Sequence, residues 1–411
     1  MPASLTLPGL RIVEHEIVVP LDHARPDGDQ ITVFAREVAD ADGPDRPYLL
    51  FFQGGPGSEA TRPTAAPPSP AWLARALREF RVLLLDQRGT GRSTPVGALP
   101  RRDPAAQAQY LSHFRADAIV RDAEHLRRAL GVERWSVLGQ SFGGLCVMTY
   151  LSVAPEGLDL ALIAGGLAPL DAPADDVYRA TYARMLARNE RYYARYPGDV
   201  DRVLTLQDHL EREDVRLPSG DRLTARRLRL AGGDLGMSYG FERLHHLLEL
   251  PVDSPAFLHD VEAAIPYARN PLYAVLHEAC WADGTATRWS AARMLPDAFV
   301  QRPELFFGEH LFPWIFEEIS ALRPLREAAD LLAHHEWPAL YDAEVLAANT
   351  VPVAAVIYSE DVYVEREFSE DTAARIRGLR SWLTSEYDHN GLRADGDRIL
   401  DRLLDLARGR V

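Results

Sequence analysis

The stretch Gly139-Gln140-Ser141-Phe142-Gly143-Gly144 places one serine inside a G-x-S-x-G frame. The short apolar run Arg134–Leu138 before it reads as a buried strand, and Leu145–Leu151 after it reads as the first turns of a packed helix. A strand that turns sharply into a helix at a serine crowds the flanking positions. Glycine two residues to either side relieves that crowding, and the strained turn pushes the hydroxyl out at the C-terminal edge of a sheet. The helix then starts just behind the oxygen, with backbone N–H groups free to stabilise an anion. Ser141 is therefore a candidate nucleophile.

Outward from that turn, the first half of the chain alternates short apolar runs with helical patterns. Ile12–Val19 and Ile31–Val38 read as half-buried strands, the second with clear alternation. Tyr48–Gln53 and Val82–Asp86 are continuous apolar runs ending in polar or glycine-rich loops, as strands of a parallel sheet do. Apolar residues at 119, 120, 123, 126 and 130 mark one face of a helix over Asp117–Leu130, which leads into the strand before Ser141. Leu158–Ile163 is a further buried strand closing at Gly165-Gly166. The β-α-β alternation predicts a doubly wound α/β core with a mostly parallel central sheet flanked by helices.

From about Asp171 to Ala333 the pattern changes to long amphipathic helices rich in Arg and Leu, among them Val177–Tyr196, Phe241–Leu250 and Pro324–Ala333. The core pattern resumes with the apolar strand Val351–Tyr358 and finishes in a helix over Asp395–Arg408. The expected organisation is a core first part at 1–170, a mostly helical cap insertion at 171–345 and a core second part at 346–411. Such an insertion is tolerable where its ends meet at a surface loop. The Pro-rich stretch Thr61–Pro70 reads as a loop.

Composition narrows the classes. At 411 residues, one large domain with an insertion, or two domains, is expected. The apolar fraction of 47% and charged fraction of 26% are those of a soluble globular protein. No apolar run approaches the roughly 18 residues needed to span a bilayer. The stretch Met1–Pro20 lacks a basic segment followed by an apolar one, so no signal peptide is read and a cytoplasmic location is expected. The formal net charge of −15 disfavours nucleic acid and anionic membrane as partners, and leaves homo-oligomer formation open. The two cysteines, Cys146 and Cys280, form no metal-binding pattern with histidine, and a small buried hydrophobe is the expected role of Cys146.

A serine hydroxyl needs a base, and the base an orienting acid. On a core of this kind the chain order is serine, acid, histidine, with acid and base on loops after late strands. Asp361 stands just after the Val351–Tyr358 strand, with Glu360 as its direct competitor. Of the 13 histidines, His389 alone combines a late position, a loop and an adjacent glycine, in Tyr387-Asp388-His389-Asn390-Gly391. His245-His246 and His334-His335 fall in helical segments of the insertion, and His125 on the polar side of a core helix; they read as packing or surface residues. Gln53-Gly54-Gly55-Pro56-Gly57 follows an early strand, where an oxyanion donor belongs. One N–H from Gly54 or Gly55 beside that of Phe142 would form the oxyanion hole. Asp86–Ser93, another glycine-containing loop, is misspelled for a phosphate loop and reads as a structural turn.

Taken together, FFQGGPG, LLLDQRGTGRS, GQSFGG, YSEDVYV and DHNGLR resemble the proline iminopeptidases (prolyl aminopeptidases) of the α/β-hydrolase superfamily, in the same order from Phe51 to Arg393. The resemblance covers nearly the whole chain. It implies an α/β-hydrolase fold with a helical cap, and a serine aminopeptidase releasing N-terminal proline from peptides, with no metal or organic cofactor. Nucleophile, acid and base carry over to Ser141, Asp361 and His389. Gln53 departs from the histidine that many relatives have before GGPG, which leaves the oxyanion backbone intact and alters how the loop is anchored. A free prolyl amine carries a positive charge and two N–H donors, best met by carboxylates in a partly dry pocket. Three acids of the insertion stand in aromatic surroundings that resemble cap motifs of larger iminopeptidases: Glu242, Glu278 and Glu309, of which Glu278 and Glu309 are the favoured amine anchors. Nearby Phe and Tyr would line an apolar slot for the pyrrolidine ring. The competing readings are another serine hydrolase of this fold (esterase, amidase or broader aminopeptidase) and a non-catalytic ligand receptor. A dehalogenase or epoxide hydrolase is disfavoured, since those relatives carry aspartate where Ser141 stands.

Overall fold

The computed structural model describes residues 4–40, 43, 45–97, 99 and 103–411. The first three residues of the N-terminal stretch read above lie outside them. Nine strands form one sheet: β1 (Ser4–Leu7), β2 (Leu10–Pro20), β3 (Gln30–Asp40), β4 (Tyr48–Phe52), β5 (Arg81–Asp86), β6 (Trp135–Gln140), β7 (Leu158–Ala164), β8 (Val353–Tyr358) and β9 (Leu379–Thr384). Their spatial order is β1-β2-β3-β5-β4-β6-β7-β8-β9. Pairing is antiparallel from β1 to β3 and between β3 and β5, and parallel from β5 through β9.

Strands β4, β6 and β8 are buried along their whole length, which is why they read as unbroken apolar runs. Side chains still alternate between faces. Leu50 and Phe52 join one apolar layer with Val120 and Leu145, while Leu49 and Phe51 join the other with Ile399 and Leu403. The first layer includes helices α1 (Ala116–Ala129) and α2 (Phe142–Val153), and the second the C-terminal helix Gly396–Ala407.

The strand order steps back at β4, which lies between β5 and β6. Ligands of open α/β sheets sit at such reversal points, beyond the carboxyl ends of the strands. Here Phe52 at the end of β4 is paired opposite Gly139 near the end of β6, so the glycine loop and the serine turn emerge side by side.

Three details differ from the sequence reading. The strand expected from Val351 begins at Val353, because Pro352 has no N–H to donate to the ladder, although its carbonyl accepts from Ala161. Strand β9 was not expected: it is a sheet edge, mostly open to solvent, and its sequence LRSWLT has no apolar run. The Pro-rich loop carries a small hairpin pairing Thr64–Ala65 with Pro68–Ser69.

Between β7 and β8 the regular structure of the described residues is helical, with one isolated bridge, Arg216 to Arg222. Helix α3 (Ala174–Arg195) opens this block with Asp175 and Asp176 in its first turn, where carboxylates oppose the positive helix end. Its buried Tyr178, Tyr182, Met185, Asn189 and Tyr192 fall three or four residues apart, as one packed helix face requires. Two arginines tie the block to the sheet domain. Arg115 donates to the carbonyls of Ala282 and Pro338, both at 2.7 Å, and Arg184 forks onto Glu365 at 2.8 and 2.6 Å.

Candidate active site

Ser141 sits at φ 54°, ψ −123°, between β6 and α2, a conformation a non-glycine residue adopts only when its surroundings enforce it. The enforcement is steric. A Cβ on Gly139 would lie 2.1 Å from the carbonyl oxygen of Gly143, and one on Gly143 would lie 2.0 Å from that of Phe52. The two frame glycines therefore let the turn close against β4. Phe142 is the first residue of α2, so its N–H has no partner in the helix ladder.

His389 Nε2 lies 2.9 Å from Ser141 Oγ, and His389 Nδ1 lies 2.6 Å from Asp361 Oδ2. These contacts assign the tautomer: Nδ1–H donates to the carboxylate and Nε2 accepts from the hydroxyl. The other oxygen of Asp361 accepts the backbone N–H groups of Tyr363 (2.9 Å) and Val364 (3.1 Å), which holds the carboxylate in place. Glu360, the competing acid, points away and pairs with Arg191 at 2.8 Å. Burial alone would push the His389 imidazolium down. The charge and hydrogen bond of Asp361, with a further contribution from Glu309, outweigh it and leave the histidine pKa above its ordinary 6.5.

The block after β7 clamps this histidine. His389 N–H donates to the Gly236 carbonyl at 3.2 Å, Ser238 N–H donates to Asn390 Oδ1 at 3.0 Å, and Gly236 N–H donates to the Tyr363 hydroxyl at 3.0 Å. Arg188 of α3 reaches the Leu235 carbonyl at 2.7 Å and the Asp388 carboxylate at 2.9 Å. Residues 233–238 thus span the acid loop and the base loop together.

A cavity of about 220 Å³ opens over Ser141, lined by Gly54, Gly55 and His389 from the sheet domain and by residues of the helical block. Gly54 stands close enough that a Cβ there would lie 3.2 Å from Ser141 Cβ. The carbonyl of Gln53 accepts from Gln87 Nε2 at 2.9 Å, so this loop is anchored through the backbone of residue 53. The Asp86–Ser93 loop is a scaffold. Asp86 accepts the N–H groups of Ala60 (3.2 Å) and Arg92 (3.0 Å), and buried Arg88 pairs with Asp122. Both cysteines are free and buried.

Residues 47–208 match the α/β hydrolase fold family. Over 99% of its length the chain is 48% identical to a proline iminopeptidase of Aeromonas sobria, covering 99% of that protein. The chain belongs to the proline iminopeptidase family. A second member, a proline iminopeptidase of Aspergillus aculeatus, is 33% identical over 98% of this chain and 94% of its own.

The three acids singled out for an iminopeptidase amine site do not come together. Glu309 lines the cavity. Burial would raise its pKa, but hydrogen bonds from His277 and Tyr273 and the charges of His277 and His389 win, so it lies below the ordinary carboxylate value. Its Oε2 is 3.4 Å from His277 Nε2. Glu278 does not reach the cavity. It is buried beneath the short helix Ser290–Arg293, where its two oxygens accept the N–H groups of Ser290 (3.1 Å) and Ala291 (2.8 Å). Glu242 pairs with Arg195 on the surface, outside the cavity. One residue separates the outcomes of Glu278 and its neighbour His277: the chain passes from an α-helix ending at Leu276 into a 3₁₀ turn, which turns their side chains to different surroundings.

Sequence reasoning gave no role to Asp234 or Arg393 and assigned an apolar slot to nearby Phe and Tyr without specifying which; Asp234, Tyr267, Tyr273 and Arg393 all line the cavity. Tyr267 and Tyr273 stack nearly parallel, with ring centres 5.7 Å apart and planes 11° from parallel. The Asp234 carboxylate is 2.5 Å from Arg243. An aromatic pair six residues apart in a helical block carries no distinguishing sequence signal. Arg393 lay in the DHNGLR motif itself.

Proposed function

We propose that this chain is a serine aminopeptidase that releases N-terminal proline from peptides through an acyl-enzyme. The observation that carries the reading is the combination, in one small cavity, of the Ser141–His389–Asp361 hydrogen-bonded series with the carboxylate of Glu309. Glu309 has a histidine and a tyrosine as partners and no arginine within ion-pair distance among the described residues, so its charge is left for a substrate ammonium. Stacked Tyr267 and Tyr273 form an apolar wall suited to the pyrrolidine ring. The cavity is smaller than the roughly 300–1,000 Å³ typical of drug-sized ligands, which suits the small N-terminal end of a peptide.

The chemistry follows. The prolyl amine rests on Glu309 with its carbonyl at Ser141. His389, oriented by Asp361, takes the Ser141 proton as Oγ attacks, and the N–H groups of Phe142 and of Gly54 or Gly55 stabilise the oxyanion. His389 then gives that proton to the departing amine, and water hydrolyses the prolyl ester by the reverse sequence. The substrate is thus a peptide with a free N-terminal proline, and none of these steps draws on a metal or an organic cofactor. No helix of the described residues is long and apolar enough to cross a membrane, and we retain the cytoplasm as the proposed location.

The test is turnover of proline 2-naphthylamide against its N-acetylated form, with fluorophosphonate labelling of Ser141. Cleavage of the free amine alone, with labelling, is expected. Equal cleavage of both forms would point to an esterase or amidase, and absence of labelling to a non-catalytic receptor.

A further inference from the structure

The charges on the cavity wall do not cancel within the protein. Asp234 is matched by Arg243, with the charge of Arg393 acting on it from beyond ion-pair distance, and His389 is matched by Asp361. Glu309 faces the cavity with no guanidinium partner, and Arg393 lines it with no carboxylate within 4 Å among the described residues. One anion and one cation are thus left open in a single small cavity, within a chain whose net charge is −15. The pattern is complementary to a zwitterion.

The position of Arg393 gives the cation its direction. It lies on the short helix Gly391–Ala394, four residues after His389, with its own N–H donating to the Asn390 carbonyl at 2.8 Å. His389 Nε2 is the atom that protonates the leaving amine, so the departing residue lies beside the His389 segment. Arg393 is carried by that same segment and its side chain is exposed at the cavity. Arginine presents a planar fork matched to a carboxylate and keeps its charge at any working pH.

We propose that Arg393 binds the C-terminal carboxylate of the leaving residue, making the site selective for prolyl dipeptides over their amides. The proposal rests on the aminopeptidase reading: Glu309 takes the ammonium at one end of the substrate and Arg393 the carboxylate at the other. In longer peptides the carboxylate lies beyond this reach, and the advantage fades. Arg393 then acts in specificity, binding the substrate without taking part in the proton transfers.

The experiment compares kcat/KM for Pro-Ala, Pro-Ala-NH2 and Pro-Asp-NH2 on wild type, Arg393→Gln and Arg393→Lys. The ratio of Pro-Ala to Pro-Ala-NH2 cancels any general effect of a variant on folding or catalysis. It should fall about five- to tenfold in Arg393→Gln, through KM, the loss expected for one charge-assisted pair at a partly exposed site. Arg393→Lys should retain an intermediate ratio, since it keeps the charge and loses the fork. A ratio unchanged in Arg393→Gln overturns the proposal. So does a loss confined to Pro-Asp-NH2, which would assign Arg393 to a side-chain carboxylate. Wild type inert on every prolyl substrate would instead overturn the aminopeptidase reading beneath it.

Discussion

Replacing Glu309 by glutamine separates its two actions, because they have opposite signs in one pH profile. Glu309 lines the cavity with its side chain 25% exposed, and its charge also helps hold the His389 imidazolium. In the proposed amine site, removing that charge leaves the prolyl ammonium without a carboxylate. Breaking a fully buried pair costs about 3–5 kcal/mol; the partial opening to the cavity discounts this to about 2–3 kcal/mol, or roughly 30- to 150-fold in kcat/KM. The second action concerns the base. His389 works as the neutral imidazole, so kcat/KM rises with pH through the histidine pKa, and its acid limb lies above pH 6.5 because Asp361 and Glu309 hold that pKa up. Without the Glu309 charge the imidazolium is less favoured, the pKa falls and the limb moves to lower pH. The assay is kcat/KM for proline 2-naphthylamide across the pH range in wild type and Glu309→Gln. A lower plateau together with an acid-shifted limb is expected. A plateau within twofold of wild type and a limb that stays in place would refute both the amine contact and the electrostatic link to His389.

Further outcomes follow from the same geometry. Asp361→Asn keeps the shape but favours the wrong imidazole tautomer, and kcat should fall by about 10⁴ while KM for proline 2-naphthylamide changes little. Gly143→Ala forces a Cβ to within 2.0 Å of the Phe52 carbonyl, so fluorophosphonate labelling of Ser141 should be lost and the melting temperature should drop, with a destabilisation above about 3 kcal/mol. Glu278→Ala leaves two buried N–H groups unpaired beneath the 290–293 helix; denaturant unfolding should show a loss of about 1–3 kcal/mol, with KM for prolyl substrates as in wild type. A raised KM in that variant would restore Glu278 to the amine site.

The Ser141–His389–Asp361 series was legible because each member sits where local sequence dictates its placement. Ser141 is set by glycines within two residues of it, Asp361 by the end of an apolar strand, and His389 by a late loop next to glycine. The same rule made β4, β6 and β8 easy to read: strands buried on both faces are continuous in hydrophobicity. Strand β9, with one side open to water, has no such run, and its place in the sheet depends on pairing with β8. The charges of the helical block were the least legible. Glu278 and Glu309 have similar aromatic surroundings along the chain, yet one is buried under the N-terminus of a short helix and the other faces the cavity.

The G-x-S-x-G frame, the apolar strand ending before Asp361, the late loop at His389 and the alternation of strand and helix determined the core and the placement of its candidate serine, acid and base, since each depends on residues a few positions apart. The substrate side was decided by tertiary structure alone. Glu309, the pair Tyr267 and Tyr273, Asp234 and Arg393 come from four segments that only the packing of the helical block onto the sheet brings to one cavity. Which carboxylate keeps its charge for a ligand depends on whether a buried N–H or an arginine reaches it first. That competition is settled by contacts between residues far apart in the chain, and no local pattern records its result.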